Sequence, residues 1–397
     1  MFFYKYIFAL LLSLIFFSSC SNKNSEIFQL KDEKITEISD SNFLAYLNSF
    51  NDDYELEYHL DNFIKINEIA KKQIEKPYLN ENIWFESLKF LVPNENIGIY
   101  QIKPFESLYL LNKITLTHLL MGRQKEARVS SIQTINRMEL INNFEEKEKE
   151  NLDELSKTSF SSLKESIYLK NKKKVLEKFT LGNDKRFANY LNGLVFEINN
   201  EKNLSDFAYE VAGFENDNAS RQDVIVITEY GEINPIQSET LIFDDGRYFF
   251  PMNVPFIYRN RENFNIVDKE NCDQFLFEDY NLKLAYQLDH EMNKVLIRSF
   301  IKLGLQSYLI VSLDDIDDSG ILSSLASFFF LLENSVDTRH WSKMPSYLSV
   351  CRFHAVNDHI NIRLNDANQS IKISKGLNLI YVKKNHKNAT LKTVVYN

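Results

Sequence analysis

From about Asn42, apolar positions recur at three- and four-residue steps: Leu56, Leu60, Phe63, Ile64, Ile66, Ile69, Ala70 and Ile74. That spacing lines one buried face of a helix, which Pro77 ends. Another helix is predicted over about 81–91, stopped by Val92-Pro93. The next starts behind Pro104 and carries Leu108, Leu111, Ile114, Thr115 and His118 or Leu119 on its apolar side. It breaks at Gly122, where a positive φ costs little, and a return helix runs to Met138 with small Ala127 permitting close approach. The pattern recurs over Ala188 to Ala212. Tyr190, Leu191, Leu194, Val195 and Ile198 line one helix, 199–203 form the turn, and Ala208 is the small residue of the return. Helix, turn and helix with a small contact residue is the logic of a tetratricopeptide unit. Between the two units, Glu145 to Lys178 reads as a charged helical stretch with a solvated face.

After Asn216 the period becomes that of strands. Val224 to Tyr230 is β-branched and ends at Gly231. Short strands are predicted at 241–243, 248–250, 256–258 and 274–278, helices at about 286–312 and 320–333, and closing strands near 347–353, 360–364, 371–373, 379–383 and 390–396. The expected fold class is α+β: N-terminal tetratricopeptide-like repeats (42–215), then a β-rich domain (216–397) with an inserted helical pair at about 286–333.

Ahead of these lies a different signal. Ile7 to Phe17 is an apolar run behind a single cation, Lys5. It is shorter than the about 20 residues that span a hydrocarbon core and suits the apolar region of a signal peptide. Phe17-Ser18-Ser19-Cys20 follows, then a polar stretch to Ser41 that reads as a tether. The segment resembles the lipobox of bacterial lipoproteins, with Phe17 in place of the usual Leu. The resemblance implies removal of 1–19, a diacylglycerol on the Cys20 thiol and a palmitate-type chain on its amine. In an organism with two membranes, Ser21, rather than an inner-membrane-retaining Asp, implies an outer-membrane address on the periplasmic face. The expected partners are therefore a membrane, through the lipid anchor, and an envelope protein.

The chain has 397 residues, 44% hydrophobic and 25% charged, enough apolar material for a sizeable core. Its net charge is −9, with no visible basic stripe, so a nucleic-acid partner is not expected. Apart from Cys20, only Cys272 and Cys351 remain, either a disulfide in an oxidising compartment or two buried thiols.

Four segments carry a further resemblance. Pro104-Phe105-Glu106 through Gly122 to Val129, Asn189 to Glu197, Glu229-Tyr230-Gly231 with Asn234-Pro235, and Asp337 to Trp341 with Met344-Pro345 occur in this order. Together they resemble an uncharacterised bacterial lipoprotein family with tetratricopeptide-like helices and a β-rich C-terminal region. Ile236-Gln237-Ser238 stands where that family has basic residues, and 301–332 carries Phe and Leu where it is rich in Ala and Gly. The family implies a fold and a compartment and no chemistry.

No catalytic constellation, cofactor motif or metal set is expected. Asp315 to Gly320 opens like a calcium loop, but Ala326 stands where a bidentate Glu closes the shell. His354 and His359 have no ligand-spaced companions, and Cys351 with His354, three apart on one strand, point oppositely. Asp337, Arg339 and Trp341 are the best candidate cluster: a structural turn or a ligand contact, with Arg339 and Trp341 sharing one face and holding a cation–π or ion-pair contact with Asp337. Phe328 to Leu332 reads as core or as a membrane-dipping patch. The expected role is a non-enzymatic scaffold whose repeats offer a concave surface to another protein. The alternatives are an enzyme or binding module acting on cell-wall or surface polymer through the C-terminal domain, and a peripheral membrane role for 300–332.

Overall fold

The computed structural model describes residues 38–49, 56–75, 100–156, 185–214, 223–244, 249–257, 272–288, 337–364, 367–385 and 389–396. Cys20 with its leader and the tether as far as residue 37, the helix expected at 81–91, the charged stretch beyond Ser156, the calcium-like loop, the helix expected at about 286–312 beyond Leu288, and the helix expected at about 320–333 with Phe328 to Leu332 lie outside the described residues. Helices come first: α1 Phe43–Ser49, α2 Leu56–Glu75, α3 Pro104–Leu120, α4 Gln124–Ser156, α5 Arg186–Ile198 and α6 Lys202–Val211. Strands follow: β1 Asp223–Tyr230, β2 Ile236–Asp244, β3 Phe249–Ile257, β4 Gln274–Asp279, β5 Tyr347–His354, β6 His359–Leu364, β7 Ala367–Lys372, β8 Leu377–Lys384 and β9 Ala389–Tyr396. A helix α7 at 280–288 continues directly from β4, earlier than the 286 expected from periodicity. The fold is mixed helix and sheet.

Both helical hairpins turn on a residue with positive φ. Gly122 has φ 70°, and the N–H of Arg123 donates back to the His118 carbonyl at 2.9 Å, which satisfies an orphan acceptor of α3. Asn200, φ 61°, does the same between α5 and α6, where Glu201 N–H reaches the Phe196 carbonyl at 2.8 Å. The return helix α4 runs on to Ser156, so the charged stretch expected from Glu145 begins as its continuation.

Within the second hairpin the helices touch at Gly193, where an added Cβ would lie 2.8 Å from the Tyr209 ring. Tyr209 is itself buried and packed against Tyr190, so the ring has little room to yield. Gly193→Ala is expected to destabilise the chain by about 1–3 kcal/mol through overpacking, read from urea unfolding. A neutral or stabilising result would show that the hairpin can open at no cost.

The main sheet has the order β4-β5-β1-β8-β9, with β1 antiparallel to β5 and parallel to β8. One face, with Ile225, Ile227, Leu348, Val350, Leu379 and Tyr381, joins the helices in a single core. The opposite face, with Val224, Val226, Ile380 and Val382, is covered by the β6–β7 hairpin through Ile362 and Ile371. The expected helical and β-rich regions therefore share one hydrophobic core. That packing changes α3. One apolar side was expected, yet every residue from Phe105 to Leu119 is buried, because α2, α4 and α5 cover one side and the sheet the other. The three short strands expected between 241 and 258 are two nine-residue strands paired as one ribbon.

Candidate functional site

The Asp337–Trp341 segment enters β5 through a turn built by the helical region. Glu106, in the first turn of α3, is 1% exposed and accepts three hydrogen bonds. They come from Trp341 N–H at 2.9 Å, Lys103 N–H at 2.9 Å and the Tyr100 hydroxyl at 2.5 Å. Asn48 at the end of α1 reads the next peptides on both its amide atoms. Its Nδ2 donates to the His340 carbonyl at 3.1 Å, and its Oδ1 accepts from Ser342 N–H at 2.8 Å. Lys103 Nζ donates to the Arg339 carbonyl at 3.3 Å. Turn and helices are thus joined mainly through backbone groups, which satisfies a stretch without regular secondary structure.

Asp337 and Arg339 are brought together. The carboxylate accepts from the Arg339 backbone N–H and from its guanidinium at 2.9 and 2.8 Å. Trp341 goes elsewhere, 3% exposed in the core and edge-on to Tyr109 at 5.2 Å. The expected ion pair of Arg339 with Asp337 is present, and the shared face expected for Arg339 and Trp341 is corrected: the guanidinium lies over Tyr100 at 5.8 Å. A segment without strand geometry is not bound to the alternation that placed them together. A cleft for polymer would need that indole at the surface.

Burial lowers the His340 pKa below the ordinary histidine value, against smaller opposing effects of the Thr338 carbonyl and Glu106. A histidine kept neutral in the fold binds fewer protons than in the unfolded chain. Its contribution is therefore intact above about pH 6.5 and is lost as pH falls through the depressed folded value. His340→Gln is expected to flatten that part of the stability–pH curve, as followed by urea midpoints between the two limits. An unchanged slope would assign the acid sensitivity to other groups.

Sequence reading missed a row of charges on the buried sheet face. Strand register places Glu278, Leu348, Glu229 and Lys383 side by side across β4, β5, β1 and β8. Glu229 is 1% exposed. Its Oε1 accepts from Tyr109 at 2.9 Å, and its Oε2 accepts from Lys113 Nζ at 3.0 Å and the Tyr381 hydroxyl at 2.6 Å. Glu278 accepts the Phe187 N–H at 2.8 Å, at the positive N-terminal end of α5, and Lys283 Nζ at 2.7 Å. Arg352 on β5 grips Glu197 of α5 with both terminal nitrogens, at 2.9 and 2.7 Å, while Tyr209 donates to the same carboxylate at 2.6 Å. Burial works against the Arg352 charge and its Glu197 and Tyr209 partners outweigh it, so its pKa is raised. Burial raises the Tyr209 pKa, and the adjoining carboxylate adds to this. The signal for Glu229 was its parity with Ile225 and Ile227 in a strand apolar on both faces, the mark of a central strand.

These carboxylates are occupied by donors within the fold, and each cluster spans helix and sheet or strand and helix. What they supply is orientation of the helices on the sheet. Cys351 forms a disulfide with Cys272, which removes it as a nucleophile beside His354. His354 and His359 are both exposed, at the end of β5 and the start of β6. Among the described residues no group of three or more His, Cys, Asp or Glu could hold a metal ion. No helix among them is long and apolar enough to cross a membrane. The chain matches no protein-family model, no curated protein and no solved structure.

Proposed function

We propose that this chain is a lipid-anchored protein of the bacterial envelope, related to the uncharacterised lipoproteins it resembles, and that its helical region is a docking scaffold for another protein. The observation carrying this reading is a pair of exposed apolar stripes. Val129, Ile132 and Ile135 follow one face of α4, with Val129 55% exposed. Leu204, Phe207 and Val211 follow one face of α6, with Phe207 65% exposed. Arg128 of α4 and Glu201 before α6 form an ion pair that fixes the two elements to each other. The first helices of both hairpins pack on the chain's own sheet, so the docking surface is assigned to the outer helices rather than to a concave inner face. Stripes at three- and four-residue spacing fit an amphipathic helix of the partner, ridge into groove. An anchor at Cys20 and a disulfide suited to an oxidising compartment agree with an envelope address.

The test is crosslinking in native envelopes, comparing the unaltered chain with Phe207→Glu and Ile132→Glu. Both positions are exposed, so the fold is expected to survive. A specific adduct lost in both variants supports the scaffold. An adduct pattern that neither variant changes would remove the stripes from the role. Mass spectrometry of the native protein tests the address separately, since an unmodified Cys20 thiol overturns the anchor.

A further inference from the structure

His340 sits in the turn that α1 and α3 hold against the entry to β5, and its peptide is gripped from several sides. Its carbonyl accepts from Asn48 Nδ2, and the same side chain takes the Ser342 N–H on Oδ1. The Arg339 carbonyl before it accepts from Lys103 Nζ, and the Trp341 N–H after it donates to Glu106. The ring is buried, with Nδ1 3.0 Å from the Thr338 carbonyl. A carbonyl only accepts, so Nδ1 carries the proton and Nε2 is left as a bare acceptor. No described residue donates to Nε2, which is itself buried. The Nε1–H of the adjoining Trp341 is likewise buried without an acceptor among the described residues, so water entering this turn would serve two ring nitrogens.

The neutral ring fits this site, and the charged ring does not. A second proton on Nε2 places a cationic N–H inside the protein with no acceptor aimed at it. Glu106 and Asp337 draw the added charge and Lys103 opposes it. However, Glu106 is already filled by three donors, and Asp337 is held by Arg339. Helix α1 brings no acid or base but Tyr46, whose hydroxyl is engaged with His59 and Asn62. We infer that residues 338–342 form an acid-opened latch: protonation of His340 at Nε2 expels the ring to solvent and frees the turn from Asn48 and Lys103, while the rest of the fold stays closed. Burial lowers the pKa of the ring, as befits a group that charges only on leaving its site. Opening and charging are therefore linked. Between about pH 6.5 and the depressed folded value, the opening constant rises about tenfold per pH unit as pH falls. The turn lies against α1, the first described helix after the expected tether. On the anchored reading proposed above, opening loosens the body at the element nearest the anchor in sequence. The latch itself stands whether or not Cys20 carries lipid.

Hydrogen exchange of the full chain in mild detergent, corrected for the intrinsic pH dependence of exchange, reads the latch. Peptides covering 338–346 are expected to lose about tenfold in protection between about pH 7.5 and about pH 5.5, a span that reaches one unit below the ordinary histidine value. Protection there should be indifferent to low urea, because the opening exposes little surface, whereas α5 keeps a steep dependence. His340→Asn, whose amide can take the place of Nδ1 on the Thr338 carbonyl without titrating, should stay closed at both pH values. Asn48→Ala, which removes the grip of α1, should already be open at the higher pH. The inference is overturned by an unaltered turn that keeps its protection in acid, or by a His340→Asn turn that loses it equally. An Asn48→Ala turn as closed as the unaltered one, or an opening as urea-dependent as that of α5, would overturn it as well.

Discussion

Glu229→Gln is expected to cost the folded chain about 3–5 kcal/mol, among the largest effects of any single side chain here, because it leaves the Lys113 ammonium buried without its counter-charge. Lys113 and Glu229 side chains are 3% and 2% exposed, so neither can turn to water. Lys113→Met should fall near the lower end of that range. The carboxylate left behind still accepts from Tyr109 and Tyr381, and two hydroxyl donors cover part of the lost ammonium. Combining the two changes should restore most of the loss, since no uncompensated charge remains and the glutamine amide still serves the phenols. Urea unfolding of the four chains gives the coupling directly. Additive losses would mean that the pair does not act as a unit, and that the helices are oriented on the sheet by apolar packing alone.

That cluster marks the limit of what local sequence carries. The hairpin turns were legible because a positive φ has a residue signature at Gly122 and Asn lies in the turn at Asn200. Strand β1 was legible because β-branched residues are dense there. The burial of α3 was not: Lys113 reads as a solvated position, and only the arrival of Glu229, 116 residues later, gives its charge a partner inside the protein. The Asp337–Trp341 turn was legible as a feature, but its content was not. Its fixing atoms are Asn48 and Glu106, on helices more than 200 residues away. The length of the β2–β3 ribbon escaped for a different reason. Prolines in β3 argue against a strand unless the pairing partner is known to lie on the other edge.

The cysteine pair shows the same dependence on distant contacts and supports a second large prediction. Cys272 precedes edge strand β4 and Cys351 lies in β5, with Cα atoms 5.4 Å apart and a separation of 79 positions in sequence. Closing a loop of that length restricts the unfolded chain by an amount equivalent to about 4.5 kcal/mol in the chain-entropy description. Replacing both cysteines by alanine should therefore lower unfolding free energy by about 3–4.5 kcal/mol, the smaller figure allowing for residual structure in the unfolded state. Alanine rather than serine is the right probe, since Cys351 is 1% exposed in the apolar layer under the β6–β7 hairpin and a hydroxyl there would add its own penalty. The unaltered protein unfolded in reductant should match the double-alanine variant, whereas under oxidising conditions the two should differ by the full amount. If reduction leaves the midpoint unmoved, the bond does not restrain the unfolded ensemble, and the case for an oxidising compartment loses its energetic basis. A loss of the expected size has a cellular consequence: the chain reaches its full stability only where thiols are oxidised. Protein made in a reducing cytoplasm should then gain stability on air oxidation, with the 272–351 linked peptide appearing in step.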